Sequence, residues 1–373
     1  MKGIPPIWNP PATVPSLEPD SGPRYVDQNA DRNPVSPLAA LIHAVHTGHP
    51  KFDFTSINVL TDRRPIRKLY GLVAGDRSSF EFGVTILGST ALFTRMEKES
   101  RDEPNNQIRE YRRAFETAYL KIPVSAKGST SHHRVVQYVF RGMNFLVRSA
   151  VDAYLPDQVS EPEPASGVGK TGSEELTDFV KAMSLDEPAT YFQSTITSSV
   201  VVIPGGRQIP HAATAELSTR RTMPKWAGAK SYLCAKKMPD LWISQTANFI
   251  EAYHTYNEDT GFRPHASQGN WRSAPRRSTK ASSQPQLTRF NDIKIKPLKE
   301  ELVAWETANA RLLSKLLTLI KKVIEATTDL GGTCIVSHDE LSRVLNVSRA
   351  KKGEVPGLPE KLQKCFMQPT RAD

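Results

Sequence analysis

Residues Ser131–Leu155 read SHHRVVQYVFRGMNFLVRSAVDAYL. Two runs rich in Val, Phe, Tyr and Leu, Val135–Phe140 and Met143–Tyr154, flank the dipeptide Arg141-Gly142. Such residues suit a pleated, half-buried surface, and a two-residue connection between them reads as a β-hairpin. The second run carries Asp152 inside an apolar strand. An ionised carboxylate there is costly unless it is paired, metal-bound or neutralised, so Asp152 needs a partner or a task. Side chains alternate along a strand, which places Arg148, Ala150 and Asp152 on one face.

A second strand, His211–Arg220, places Thr214, Glu216, Ser218 and Arg220 on one face in the same way. If the two strands are neighbours, Asp152 and Glu216 approach each other. Paired carboxylates repel unless a cation lies between them, and hard divalent ions such as Mg²⁺ take oxygen ligands. A metal held there polarises a phosphodiester and activates water. The competing reading is a pair of structural salt bridges to Arg148 or Arg220, and spacing alone favours it. Two histidines and an arginine, His132, His133 and Arg134, lead into the hairpin. They suit either phosphate contact or hydrogen bonding to the backbone; no third ligand stands near them, so no zinc site is read. His43, His46 and His49 recur at helical spacing without an acid or Cys nearby, which reads as a surface or partly packed face.

The rest of the chain reads as a scaffold. A Pro-rich, extended or disordered arm covers residues 1–36. A short helix at Ser36–His46 follows, then a strand at Ile57–Leu60 and a helix capped by Thr61 or Asp62. Phe80–Arg95 reads as a hairpin turning at Gly88-Ser89. Gln107–Leu120 is an amphipathic helix with Ile108, Tyr111, Phe115 and Ala118 on one stripe and Glu116 beside it. Residues 156–175 and 263–290 read as loop insertions, the second strongly basic. Ser166–Gly172 invites comparison with a P-loop, but Pro164 stands where a glycine is needed and no strand precedes it. Leu241–His254 is an apolar run carrying Trp242 and Gln245, Pro297–Asp329 reads as one long helix ended by Gly331-Gly332, and Thr333–His338 as a core strand. A loose basic tail follows, 351–373. The pattern is α+β, with one central mixed sheet flanked by helices in a single domain over 37–350.

The chain has 49 Lys and Arg against 39 Asp and Glu, a formal charge of +10. That excess favours an acidic partner, nucleic acid first, although basic charge confined to flexible segments serves solubility alone. No apolar run of membrane-spanning length is present. The proline-rich N-terminus is unlike a signal peptide. The three widely spaced cysteines fit a reducing, cytoplasmic or nuclear, setting. Oligomeric state is not legible.

These motifs resemble the PD-(D/E)XK nuclease superfamily, nearest its DXO-like branch of decapping exonucleases. The resemblance runs through Phe115-Glu116, Ala150-Val151-Asp152, Glu216-Leu217-Ser218, and Leu241–Gln245 followed by Phe249–His254. It implies a nuclease-like core, RNA in preference to DNA as partner, and Mg²⁺ or Mn²⁺ held by Glu116, Asp152 and Glu216, the expected catalytic acids. Beside these acids, His132, His133, Arg134, Arg148, Arg220 and Gln245 are the candidate nucleic-acid contacts. Ala150 stands where the pattern has Glu, and Ser218 where it has Lys, so the implied phosphodiesterase is degenerate. The alternative is a non-enzymatic interaction scaffold on the same fold. The blocks Thr61–Leu69, Ser129–Phe140, Phe145–Tyr154 and Leu241–Thr246 also resemble a group of uncharacterised filamentous-fungal proteins. Some of these carry a prenyl-diphosphate-synthase label, but no DDxxD helix is present to support that chemistry.

Overall fold

A computed structural model of the chain describes residues 4–22, 24–25, 31–96, 101–102, 110–129, 131–159, 200, 207–221, 232–256, 287–341 and 344–367. The strands are β1 (Ile7–Trp8), β2 (Arg24–Tyr25), β3 (Val59–Asp62), β4 (Phe80–Leu87), β5 (Thr90–Arg95), β6 (Arg101–Asp102), β7 (Leu120–Lys121), β8 (His133–Phe140), β9 (Met143–Ala150), β10 (Ala153–Tyr154), β11 (Thr214–Arg221), β12 (Asn248–Tyr256), β13 (Thr288–Pro297), β14 (Thr333–His338) and β15 (Leu345–Arg349). The helices are α1 (Ala39–Gly48), α2 (Arg63–Val73), α3 (Arg112–Tyr119), α4 (Tyr232–Ile243), α5 (Lys299–Ala308), α6 (Ala310–Asp329) and α7 (Glu360–Gln363).

The hairpin forms as its sequence demands. β8 and β9 pair antiparallel from Phe140↔Met143 to His133↔Ala150. Arg141 and Gly142 turn with φ of 48° and 84°, the doubly positive geometry that matches the twist of the flanking strands. Arg141 is then fastened to α6, its guanidinium donating to Ser314 Oγ at 2.6 Å and to the Ala310 carbonyl at 3.2 Å.

The α+β class holds, but the expected single sheet is two. A seven-stranded sheet runs β15-β14-β4-β5-β3-β9-β8 and a six-stranded sheet runs β13-β12-β11-β10-β1-β7. β2 and β6 form a small separate ribbon. The physical reason lies in the run read as one strand, Met143–Tyr154. It breaks at Val151-Asp152, so β9 belongs to the first sheet and β10 to the second. Arg148 and Asp152 therefore do not share a face.

Two cores cover the seven-stranded sheet. On one face Val84, Phe93, Phe145 and Val147 meet Leu69 of α2 and Leu316 and Ile320 of α6. On the other, Leu60, Leu92 and Leu146 meet Leu41 and Ile42 of α1 together with Leu362 and Phe366. The tail expected to be loose is thus packed as far as Phe366. The arm expected to be disordered likewise contributes β1 and the buried Trp8. The six-stranded sheet packs Ala215, Leu217, Ile250 and Ala252 against Tyr111 and Phe115. Its opposite face places Phe249 against Met238 and Leu241 of α4. Because α4 also gives Trp242 to the first core, it packs on both sheets, as α5 does through Leu302 and Trp305.

Two further expectations change. Pro297–Asp329 is two helices, α5 and α6, parted at Asn309. Asp62 sits at the N-cap of α2 but makes no capping bond, because its carboxylate is taken by Arg148. The P-loop-like stretch and residues 263–286 of the basic insertion lie outside the described residues, while the end expected to be loop, Thr288–Phe290, opens β13. No helix among the described residues is long and apolar enough to cross a membrane.

Candidate functional site at the junction of the sheets

Asp152 lies where the chain crosses from one sheet to the other. Its backbone N–H donates to the Ala215 carbonyl at 3.2 Å, and its Oδ2 accepts from the Leu217 N–H at 2.7 Å. The backbone bond continues the antiparallel β10–β11 ladder by one residue, and the side-chain bond ties the Asp152 carboxylate to β11 just beyond it. The strands carrying Asp152 and Glu216 are therefore neighbours, as their spacing requires if the two acids are to meet.

Glu116 reaches the same place from α3. The first turn of that helix is capped by Asp20, whose carboxylate accepts from the N–H groups of Arg113 and Ala114 at 2.9 and 2.8 Å. This satisfies two of the free donors of a helix start. Phe115 and Tyr119 anchor the apolar side of α3. The opposite side presents Arg112 and Glu116, one turn apart.

The three acids are gathered through arginines. Arg112 Nε donates to Glu116 Oε1 at 2.7 Å, and Arg112 Nη2 lies 2.8 Å from Asp152 Oδ2. Glu216 is hydrogen-bonded to Arg63 of α2 and has Lys237 Nζ 3.8 Å from its Oε1. Arg63 also donates to Ser244 Oγ at 3.2 Å and faces Asp240 at 3.9 Å, and Arg67 reaches Asp240 at 3.6 Å. On the adjacent strand β12, the buried Glu251 is in register with Ser218 and bonded to Lys296 Nζ at 2.7 Å.

The charges respond to this setting. Burial pushes the Glu116 carboxyl up, Asp152 adds to the push, and Arg112 offsets it only in part. Burial also works against ionisation of Glu216, but Arg63 and Lys237 overcome it and hold that carboxyl below its ordinary range. Asp152 in turn makes the Arg112 proton harder to remove than in water.

The expected nucleic-acid contacts disperse. Arg148 is buried in the seven-stranded sheet, bonded to Asp62 at 2.6 and 3.0 Å. Gln245 has φ 50° and turns back to donate to the Trp242 carbonyl at 2.6 Å, closing the end of α4. Trp242 itself is core, its Nε1 donating to Glu306 at 3.0 Å. Arg134 donates to the Ile209 carbonyl at 2.6 Å and lines a small cleft with Ala150, His211 and Glu216. His133 is half-buried in β8, its Nδ1 3.5 Å from Ser131 Oγ. Arg220 lies further along β11, in register with Tyr253. The residues that sequence reasoning missed are Arg63, Arg112, Lys237, Asp240 and Ser244. Only Arg112 carried a local signal, the four-residue spacing to Glu116.

The sequence model of the family described as "Domain of unknown function (DUF8563)" matches residues 1–266, more than two thirds of the chain. The chain belongs to the DUF8563 family. No curated protein matches it by sequence. Among solved structures, the crystal structure of Scheffersomyces stipitis Rai1 has a TM-score of 0.51 at 11% identity, covering 94% of this chain and 87% of that one. The crystal structure of Candida albicans Rai1 in complex with pU5-Mn²⁺ has a TM-score of 0.51 at 9% identity, covering 98% and 99%. At the level of fold, the DUF8563 chain is similar to these Rai1 structures.

A divalent ion needs converging carboxylate oxygens with free lone pairs. In the DUF8563 chain Arg112 stands between Glu116 and Asp152, Arg63 engages Glu216, and position 150 supplies a methyl group. Among the described residues no group of three His, Cys, Asp or Glu side chains is placed to hold a metal ion. The ligand set expected for Mg²⁺ or Mn²⁺ is therefore brought together around guanidinium groups, an arrangement that does not fit a resident metal.

Two histidines beside this region make stability depend on pH. His132 Nε2 is enclosed without a hydrogen-bond partner, and burial, then Arg134 and His133, push its pKa down to about 3. Burial, then Arg221, lowers His254 to about 4. Both folded values lie below the unfolded value of 6.5. The unfolded chain thus takes protons that the folded chain refuses, and stability falls as pH drops below that value. The expected slope approaches about 1 kcal/mol per pH unit for each histidine. Denaturation midpoints from pH 7 to 4.5 check this: a flat profile contradicts it, and His132→Gln makes the slope shallower.

Proposed function

We propose that this DUF8563 chain is a nucleic-acid-binding protein, with RNA favoured over DNA, that uses a nuclease-type core as a binding platform without metal-dependent hydrolysis. The observation that carries this reading is the pairing of the site's acids with its own basic side chains. Glu116, Asp152, Glu216 and Asp240 are matched by Arg63, Arg67, Arg112 and Lys237. A bare acid cluster repels phosphate, whereas a charge-matched one in a chain of net charge +10 lets the wider positive field attract it. Support also comes from Ser218, which stands where the nuclease pattern has a lysine. The likeness to a Rai1 structure carrying pU5-Mn²⁺ makes RNA the first ligand to try.

Anisotropy of a labelled, 5′-phosphorylated single-stranded RNA, titrated with the full chain at rising salt, tests the proposal. Affinity is expected to fall steeply between about 50 and 200 mM salt, since phosphate contacts release counterions. Binding that ignores salt, or the absence of binding to RNA and DNA alike at low salt, overturns it and returns the chain to the scaffold reading.

A further inference from the structure

We infer that Arg112 is a built-in cation that takes the electrostatic place of a divalent metal, so that the acid cluster holds together without Mg²⁺ or Mn²⁺ and excludes them. The inference rests on the metal-free reading of the site but not on what binds there.

Three features support it. First, Arg112 uses different nitrogens for its two acids, Nε for Glu116 and Nη2 for Asp152. The rigid fork of a guanidinium bridges two carboxylates in this way, and it stays charged at any working pH. Secondly, the arrangement is locally determined. Arg112 and Glu116 lie one helical turn apart, and the helix start is fixed by Asp20. The Asp152 oxygen facing Arg112 is fixed in turn by the Leu217 N–H at 2.7 Å. Thirdly, a metal has little to gain by displacing Arg112. Ala150 offers no side-chain oxygen, and Glu216 is already held by Arg63 with Lys237 nearby. A divalent ion would add two positive charges to a cluster whose charges already cancel.

Mn²⁺ titration of the full chain without nucleic acid, read by electron paramagnetic resonance, tests this. Wild-type protein is expected to leave all the Mn²⁺ free, with a melting temperature unmoved by Mn²⁺ or by EDTA. Arg112→Gln, and Arg112→Ala combined with Ala150→Glu, are expected to bind one Mn²⁺ at least about 10-fold more tightly than wild type. Wild-type binding that Asp152→Ala abolishes overturns the inference. So do folded variants that bind no better than wild type. If neither variant folds, the wild-type titration decides alone. Because the readout contains no RNA, failure of the RNA-binding proposal leaves this result standing.

Discussion

Arg148→Met is expected to destabilise the protein by about 3 kcal/mol, the lower part of the range for breaking a buried ion pair. Arg148 is only 3% exposed. Its guanidinium meets both oxygens of Asp62 at 2.6 and 3.0 Å and donates to the Pro37 carbonyl at 3.1 Å. β3 and β9 run parallel with Asp62 and Arg148 in direct register, so the pair closes the end of that ladder. Burial alone would raise the Asp62 pKa; Arg148 overcomes this and holds it below the ordinary range, with smaller help from Arg95 and His133. Methionine leaves the carboxylate buried with only those weaker partners, hence the modest end of the range. Replacing both residues, Asp62→Leu with Arg148→Met, removes the stranded charge and is expected to recover most of the loss. Urea unfolding reads both. A single variant as stable as wild type, or a double variant worse than the single, contradicts this account of the pair.

Phe115→Ala is expected to cost about 3–5 kcal/mol, the range for emptying a packed aromatic site. Phe115 is fully buried. Its ring stacks on Tyr119 at 4.1 Å and meets Phe290 at 4.5 Å, with Trp8 at 6.2 Å. It is also the anchor that aims Arg112 and Glu116 at the site from the opposite side of α3. The truncation is thus expected to weaken nucleic-acid binding under conditions where the protein remains folded. A loss below about 1 kcal/mol, the size of an ordinary surface or near-neutral change, would mean that α3 is held by something other than its aromatic face.

What the sequence made legible was local. The hairpin could be read because Arg141-Gly142 separates two β-rich runs and such a turn has few geometries. The acid on α3 could be read because Phe115 and Tyr111 mark its buried side. The break at Val151-Asp152 could not: nothing in an apolar run says that its last residues leave for a second sheet. That one event moved Arg148 into the wrong company and split the expected sheet in two. Arg63 is 153 residues from Glu216, beyond the reach of any spacing argument, and Lys237 required knowing that α4 lies between the sheets. Gln245 was misplaced because its positive φ, a helix-ending conformation, is uncommon for a residue other than glycine. The tail after Arg349 looked loose because its charge hid Leu362 and Phe366, which are core.

Incubation of a 5′-phosphorylated RNA with the purified chain in Mn²⁺ tests the central claim most directly, namely that the acids at the junction of the two sheets are answered by arginines instead of a metal. The RNA is predicted to remain full length while bound. Shortening of the RNA by wild-type protein, lost in Asp152→Asn, would contradict it.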